Sequence, residues 1–404
     1  MQTKNNKIYK ISKIIYSCTI IMSFLFLTSS FVNIIPGRTR YAINIVFILY
    51  TICIFLLRNE HKIKKQNVFF ALSSLLPYVV ILIVVLIKSF FSDVITINMI
   101  INKMVIIIYW CIPIISMLCA GYLFKEDAID ITFYATIISY LFSIFQFFMI
   151  YKIQGIIHFF TYATMLGSPL EQHELVFSLG LFFIYYFLFE DKKVKNHKFK
   201  VFICAMFLFM GFKRIELVSI IIVSILYKFV LQGNNFKIKV NIISIIILCI
   251  CIIYISFIKS GGLDTFAQKY NIDFMSRLTA YDYFNKDYCL NLFYQGKGLG
   301  YVSYTLENVG SLLFGIGDLH NDILKYYIEM GCIGWILFFM NFILLQTKRI
   351  LKKINIQIAR LYFTLTLFTM IIIVTDNVLR YLQYMLVFFL IPYICSFKLR
   401  GGKE

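Results

Sequence analysis

The sequence predicts an all-α polytopic membrane protein with about twelve transmembrane helices and one large outer loop between spans 9 and 10. Three observations carry this. Of 404 residues, 60% are hydrophobic and 15% are charged, where a soluble domain has roughly 25% charged residues. The mean hydropathy is +0.82. The apolar runs approach the ~20 residues a helix needs to cross a ~30 Å hydrocarbon core, not the ~10-residue alternating segments of a barrel. Residues 1–404 read as a single integral membrane domain.

Spans fall near 14–35, 41–57, 67–87, 104–124, 128–151, 174–190, 201–212, 215–231, 241–258, 332–346, 361–375 and 381–397. The first follows Lys4, Lys7, Lys10 and Lys13. Its apolar run is too long for a signal peptide and has no small-residue cleavage site. Pro36-Gly37-Arg38-Thr39-Arg40 makes a short basic outer turn. Inner connections follow at 58–65 and at Lys125-Glu126-Asp127, with an outer loop at 88–103 between them. The next outer loop, 151–172, holds His158, Tyr162, Gly167-Ser168-Pro169 and Glu171, with His173 and Glu174 at the mouth of the following span. Gly-Ser-Pro reads as a turn. The loop 191–200 is strongly basic and cytoplasmic.

The stretch 201–231 decides the topology. It is apolar except for Lys213-Arg214-Ile215-Glu216 and Lys228. As one helix it would be ~46 Å long at 1.5 Å per residue and would bury a Lys-Arg pair in hydrocarbon. It would also turn Lys237, Lys239, Lys348, Arg349, Lys352, Lys353 and Arg360 outward, against the rule that basic residues stay inside. Two short spans meeting at Gly211-Phe212-Lys213-Arg214 avoid both problems. The first is short for the bilayer, so Lys213 and Arg214 sit at or just below the outer interface, where ionisable residues are functional candidates.

The loop 259–331 is too long for a connector. It is rich in aromatics and carries the flexible segment Gly296-Lys297-Gly298-Leu299-Gly300. With no strand-to-helix context, that segment supports no nucleotide site. Residues 320–330 have helical spacing, with Asp318 as N-cap and Gly331 and Gly334 at the break before the next span. His320 then falls in a first helical turn, where free N–H groups and the helix dipole favour anions. Asp376 and Arg380, four apart at the last outer turn, read as a structural ion pair.

A net charge of +19 invites a nucleic-acid reading. With both termini in the cytoplasm, however, about two thirds of the basic residues and about one third of the acidic ones lie inside, as positive-inside topology requires. No nucleic-acid partner is implied. Eight of the ten cysteines lie within spans, where cysteine is a small apolar filler. Only Cys289 and Cys332 lie where they can meet the outside, and a disulfide between them is the minority reading. No Cys/His ligand spacing occurs.

The outer face has no DxD pair, no metal-ligand cluster and no GxSxG elbow, so no metal or other cofactor is expected. It offers fixed cations (Arg214, Arg277, with Arg38, Arg40 and Arg380), His320 and many aromatics. Arginine's planar fork matches phosphate oxygens. Histidine as a residue type suits general-base work on a sugar hydroxyl. This combination suits a lipid-linked sugar pyrophosphate.

Four stretches carry a resemblance: Gly167-Ser168-Pro169-Leu170-Glu171, Phe212-Lys213-Arg214, Met275-Ser276-Arg277-Leu278, and Leu319-His320-Asn321-Asp322-Ile323-Leu324 followed by Glu329-Met330-Gly331 and Gly334. In this order they resemble the O-antigen polymerase (Wzy-type) and O-antigen ligase superfamily. The last stretch, a His-Asn-x-x-Leu…Glu-x-Gly-x-x-Gly pattern, is the specific one. The resemblance implies a GT-C-like, metal-independent glycosyltransferase on the outer face of the inner membrane. Its donor would be a glycan on undecaprenyl pyrophosphate, its acceptor another lipid-linked repeat unit, and a chain-length regulator protein a further partner. It implies that Arg214 and Arg277 hold the donor pyrophosphate and that His320 activates the acceptor hydroxyl. Lys213, Asn321, Glu171 and Arg380 are the substrate-binding candidates beside them. A ligase acting on lipid A core differs only in acceptor. A non-enzymatic lipid-oligosaccharide flippase is the alternative of another class; it would place ionisable residues at the midplane and show repeated halves, and neither is seen.

Overall fold

The computed structural model of the chain describes residues 2–26, 39–57, 65–90, 97–152, 154, 157, 170–272, 274, 277–310 and 318–398. Among these residues there is no strand. The helices are α1 (Gln2–Leu25), α2 (Thr39–Leu57), α3 (Lys65–Phe90), α4 (Ile97–Phe124), α5 (Ala128–Tyr151), α6 (His173–Leu188), α7 (His197–Gly211), α8 (Arg214–Leu226), α9 (Phe236–Lys259), α10 (Gly262–Tyr270), α11 (Arg277–Asn285), α12 (Tyr301–Thr305), α13 (Asp322–Phe339), α14 (Gln346–Lys353), α15 (Ile356–Ile372) and α16 (Leu382–Lys398). Backbone amides must be satisfied internally in lipid, so a chain this apolar folds as helices.

The expectation of about twelve transmembrane helices is corrected. Among the described residues, six stretches are long and apolar enough to cross a membrane: Lys7–Leu25, Thr39–Leu57, Lys65–Val84, Ile106–Met149, Phe236–Lys259 and Asp322–Lys353. Three physical reasons account for the difference. The expected spans 104–124 and 128–151 belong to one apolar stretch, turned at a short 3-10 segment, Lys125–Asp127. The expected spans at 174–190, 361–375 and 381–397 form helices of 16, 17 and 17 residues; at 1.5 Å per residue they reach about 26 Å, short of ~30 Å. The pair 201–212 and 215–231 forms short helices broken at Phe212 and Lys213. The GT-C-like architecture expected with the larger count is withdrawn with it. The chain is a multi-pass membrane protein built on several long apolar helices.

Of these short helices, α6, α15 and α16 sit inside, whereas α7 and α8 leave Phe202, Phe209 and Ile221 exposed. Every side chain of α16 from Leu382 to Ser396 is buried. That fits its sequence, which is apolar all round and has no polar stripe to turn outward. α16 packs on α4, α6 and α15. Its Tyr393 ring lies so close to Gly121 that a β-carbon there would meet it at 2.3 Å. The long helix α9 is peripheral and leaves Ile250, Ile253 and Phe257 exposed.

Hydrogen bonds sort the helix ends into two sets. At one end Tyr9 reaches Asp127, Tyr186 and Lys200 reach Asp130, and Arg360 reaches the Gly233 carbonyl. At the other end Arg40 meets Glu174, Lys213 meets Asp376, and Arg380 meets Asp318. The second end carries the candidate site.

Candidate functional site

Among the helices that begin at this second end are α2, α6, α8, α13 and α16. Each N-terminus presents unpaired N–H groups and the positive end of its dipole. Buried carboxylates answer them. Glu174 accepts from the Gln383 amide at 2.5 Å, and Asp322 accepts from the Leu379 amide at 3.0 Å. The Asp322 amide in turn donates to the Ile373 carbonyl at 3.0 Å. The segments 318–322 and 373–380 are thereby fixed against each other.

Asp376 is the centre of the arrangement, and its carboxylate is fully buried. Lys213 Nζ lies 2.7 Å from its Oδ2 and His173 Nδ1 3.1 Å from the same oxygen. The Tyr381 hydroxyl donates to Oδ1 at 2.5 Å and the Asn377 amide at 2.9 Å. His320 Nδ1 stands 3.9 Å from Oδ1, an ion-pair distance too long for a direct hydrogen bond. Burial alone would raise the Asp376 carboxyl, but His173, His320 and Lys213 together hold it well below the usual carboxylate range. Burial and Asp376 push the Tyr381 phenol well above its ordinary value. Lys213 also touches His173 and pairs with Glu171 at 2.9 Å. The His173 and His320 rings are 6.4 Å apart, and their side chains are 42% and 29% exposed. The carboxylate is therefore sealed, while both imidazoles remain reachable.

His320 is held from both sides. Preceding it, Asp318 pairs with Lys325 and Arg380, each at 2.8 Å, and Ser303 Oγ accepts from both cations. Burial would raise Asp318, but the two cations outweigh it and bring it down to about 2. Following it, Asn321 caps α13 by accepting from the Leu324 amide at 3.0 Å. The Asn321 amide donates to the Tyr254 and Tyr281 hydroxyls at 3.2 and 3.4 Å, and Arg277 acts electrostatically on both phenols.

Of the residues read from sequence, the fold joins Lys213, Glu171 and His320 directly and Asn321 as the next residue; Arg277 opens α11, the helix that carries Tyr281. Arg214 opens α8, is exposed, and makes no ion pair or hydrogen bond with a described residue. Arg380 lies one contact away, on Asp318. Arg38, His158, Tyr162, Gly167-Ser168-Pro169 and Met275-Ser276 lie outside the described residues.

Several expectations are corrected. Arg380 pairs with Asp318, not Asp376, because the two are not stacked on a helix; only Val378–Arg380 forms a 3-10 turn. The cap of α13 is Asn321, not Asp318, and His320 precedes the helix in the left-handed region at φ 51°. The chain breaks at Gly331, whose φ is 73°, but runs helically through Gly334. No correction falls on the cysteines: all ten are free, Cys289 and Cys332 included, and the disulfide is only the minority reading. The Gly-rich segment is not a loose loop. Its Lys297 and Gly298 amides donate to the Ile328 and Glu329 carbonyls at 2.8 and 2.9 Å.

Sequence reasoning missed His173, the central role of Asp376, and the Arg40 to Glu174 pair at 2.5 Å. An aspartate between two apolar helices was itself the signal. His173 gave a weaker one, two residues after Glu171 at a helix start.

No family model matches the chain. No curated protein and no solved structure matches it either. The chemistry of the site is read from its own residues. Among the described residues no three His, Cys, Asp or Glu side chains converge as a metal-ligand set. What converges is a buried carboxylate, a buried ammonium and two accessible imidazoles, with Arg214, which has no partner among the described residues, next in sequence to Lys213, an arrangement suited to an anionic ligand and to proton transfer.

Proposed function

We propose that the chain is a surface-polysaccharide polymerase, a glycosyltransferase joining undecaprenyl-pyrophosphate-linked oligosaccharide repeat units on the outer face of the cytoplasmic membrane. The observation that carries this reading is that buried Asp376 gathers Lys213 and His320, two residues 107 positions apart in motifs quoted above, at one end of the bundle.

In this reading the acceptor sugar hydroxyl meets His320 on the nitrogen turned away from Asp376. As the acceptor oxygen bonds to the donor's anomeric carbon, its proton passes to His320. The bond from that carbon to the pyrophosphate oxygen breaks, and undecaprenyl pyrophosphate leaves. Asp376 stabilises the imidazolium that forms, as a buried carboxylate beside a catalytic histidine does. Arg214 and Arg277 hold the pyrophosphate, and fixed cations there stabilise the departing charge without a metal. Lys213, neutralised by Asp376 and Glu171, keeps the site in register.

Orientation follows from charge. The helix ends opposite the site carry the basic groups 192–198, 237–239 and 348–353, and such loops stay in the cytoplasm. The site then opens outward.

A deletion strain complemented with His320→Ala, Arg214→Ala or Arg277→Ala tests the proposal by its glycan ladder. Single repeat units on the carrier support a polymerase. Full-length polymer retained on undecaprenyl pyrophosphate assigns the chain as a ligase, and loss of outward-facing repeat units assigns a flippase.

A further inference from the structure

α10 follows the membrane-crossing helix α9 after only Ser260 and Gly261. Its apolar residues, Leu263, Phe266, Ala267 and Tyr270, recur at i, i+3, i+4 and i+7 and share one arc of the helix. Asp264, Thr265, Gln268 and Lys269 occupy the other arc. Half of the apolar arc is already docked: Leu263 and Ala267 are 7% and 5% exposed. The other half is open. Phe266 and Tyr270 are 42% and 56% exposed, with ring centroids 4.7 Å apart.

What covers that open half follows from α9. The peripheral helix α9 turns Ile253 and Phe257 outward, 65% and 41% exposed, where a membrane-crossing helix meets lipid. Phe257 is also the residue on which α10 begins. A β-carbon at Gly262 would lie 2.4 Å from the Phe257 ring, so the absence of a side chain there brings α10 onto the lipid-facing flank of α9. The junction lies at the level of Lys259, the last residue of the span. The Lys259 ammonium turns away to the Tyr288 and Asn285 carbonyls.

We propose that α10 is an in-plane membrane-surface helix, with Phe266 and Tyr270 seated in the lipid leaflet onto which the candidate site opens. The exposed arc is continuous with the lipid-facing surface of α9, and this continuity selects a bilayer over a protein as the occupant. Short amphipathic helices seat in this way at the boundary between headgroups and acyl chains. Lys269, whose ammonium lies 5.5 Å from the Tyr270 ring centre, keeps its charge on the water side while its stem covers apolar surface. Ile272, 42% exposed just after the left-handed Asn271, extends the same patch. This inference does not depend on the reaction assigned above.

The test is quenching of a tryptophan placed on α10 in the full chain, reconstituted in phosphatidylcholine and phosphatidylglycerol vesicles. The native Trp110 and Trp335 are 7% and 0% exposed, and the parent protein's signal is subtracted. Phe266→Trp and Tyr270→Trp are expected to be quenched at least twofold more by shallow brominated phosphatidylcholine than by aqueous iodide. Gln268→Trp, on the polar arc, is expected to show the reverse. Iodide quenching at 266 and 270 without bromolipid quenching overturns the proposal in favour of a water-facing helix. Protection from both quenchers overturns it in favour of a protein partner or a second copy. If one variant fails to insert, the other on the same arc gives the reading.

Discussion

The Lys213 ammonium and the Asp376 carboxylate are 2.7 Å apart across 163 residues of chain, and both are buried. Removing one partner leaves the other charge in a low-dielectric interior beside its remaining neighbours, among them Glu171 for Lys213 and His173 with Tyr381 for Asp376, at a cost of up to about 3–5 kcal/mol. Asp376→Ala and Lys213→Ala should each lower the melting temperature strongly. The double replacement Lys213→Met with Asp376→Leu should lower it by less than the sum of the two, because no charge of this pair is left stranded. Fluorescence-detected melting of the four proteins in one detergent measures the difference.

His320 contributes differently. Its side chain is part-exposed and makes no direct hydrogen bond to Asp376. His320→Ala should lower melting far less than loss of Lys213 or Asp376, by about 1 kcal/mol, while lowering transfer about 100- to 10,000-fold, the usual contribution of a general base. Melting and product formation on the same preparation separate the two effects.

Arg214 carries an exposed charge with no partner among the described residues. Arg214→Ala should leave stability unchanged within about 0.5 kcal/mol and weaken donor binding. Arg214→Lys should restore that binding only in part, because a point charge does not reproduce a bidentate fork on phosphate. Titration of a pyrophosphate-linked donor analogue distinguishes the three proteins.

The pH dependence follows from Asp318, lowered from 3.8 to about 2. A carboxyl depressed by folding contributes stability fully above its unfolded value and loses it as pH falls through the folded value. The contribution, on the order of 2 kcal/mol, should therefore be present above about pH 4 and disappear toward pH 2. Asp318→Asn should flatten the stability profile over that window, as melting temperatures taken between pH 2 and pH 5 would register.

Gly296 and Gly331 face each other with φ of 76° and 73°. A β-carbon on Gly296 would lie 2.3 Å from the Gly331 nitrogen, and one on Gly331 2.2 Å from the Tyr294 carbonyl oxygen. Gly331→Ala should cost at least about 1–3 kcal/mol from backbone strain alone, and Gly296→Ala a similar amount. The control Gly261→Ala, which has φ of 72° but open space around it, should cost less. Melting of the three variants ranks them.

The all-helical membrane class was legible because hydrocarbon leaves an apolar chain little alternative. The span count was not, because α6, α15 and α16 are as apolar as true spans yet are buried by neighbouring helices. Apolar composition does not distinguish lipid from protein as the surrounding medium. The break at Lys213 was readable from two charges in an apolar run, and the pair His320 and Asn321 from a polar segment running into a span. The role of Asp376 was hidden by spacing: with Arg380 four residues on, it imitates a helical ion pair. Its actual partners come from three distant segments, and one sequence does not record such contacts.

The central claim is that the end of the bundle gathered by Asp376 transfers glycan between lipid-linked units. The most direct measurement is incubation of the purified, reconstituted chain with an undecaprenyl-pyrophosphate-linked repeat unit as sole donor and acceptor, in the presence of a chelator. The account predicts a product of two or more repeats with release of undecaprenyl pyrophosphate, abolished in His320→Ala. Unchanged single units with the parent protein, or equal polymer from His320→Ala, would contradict it.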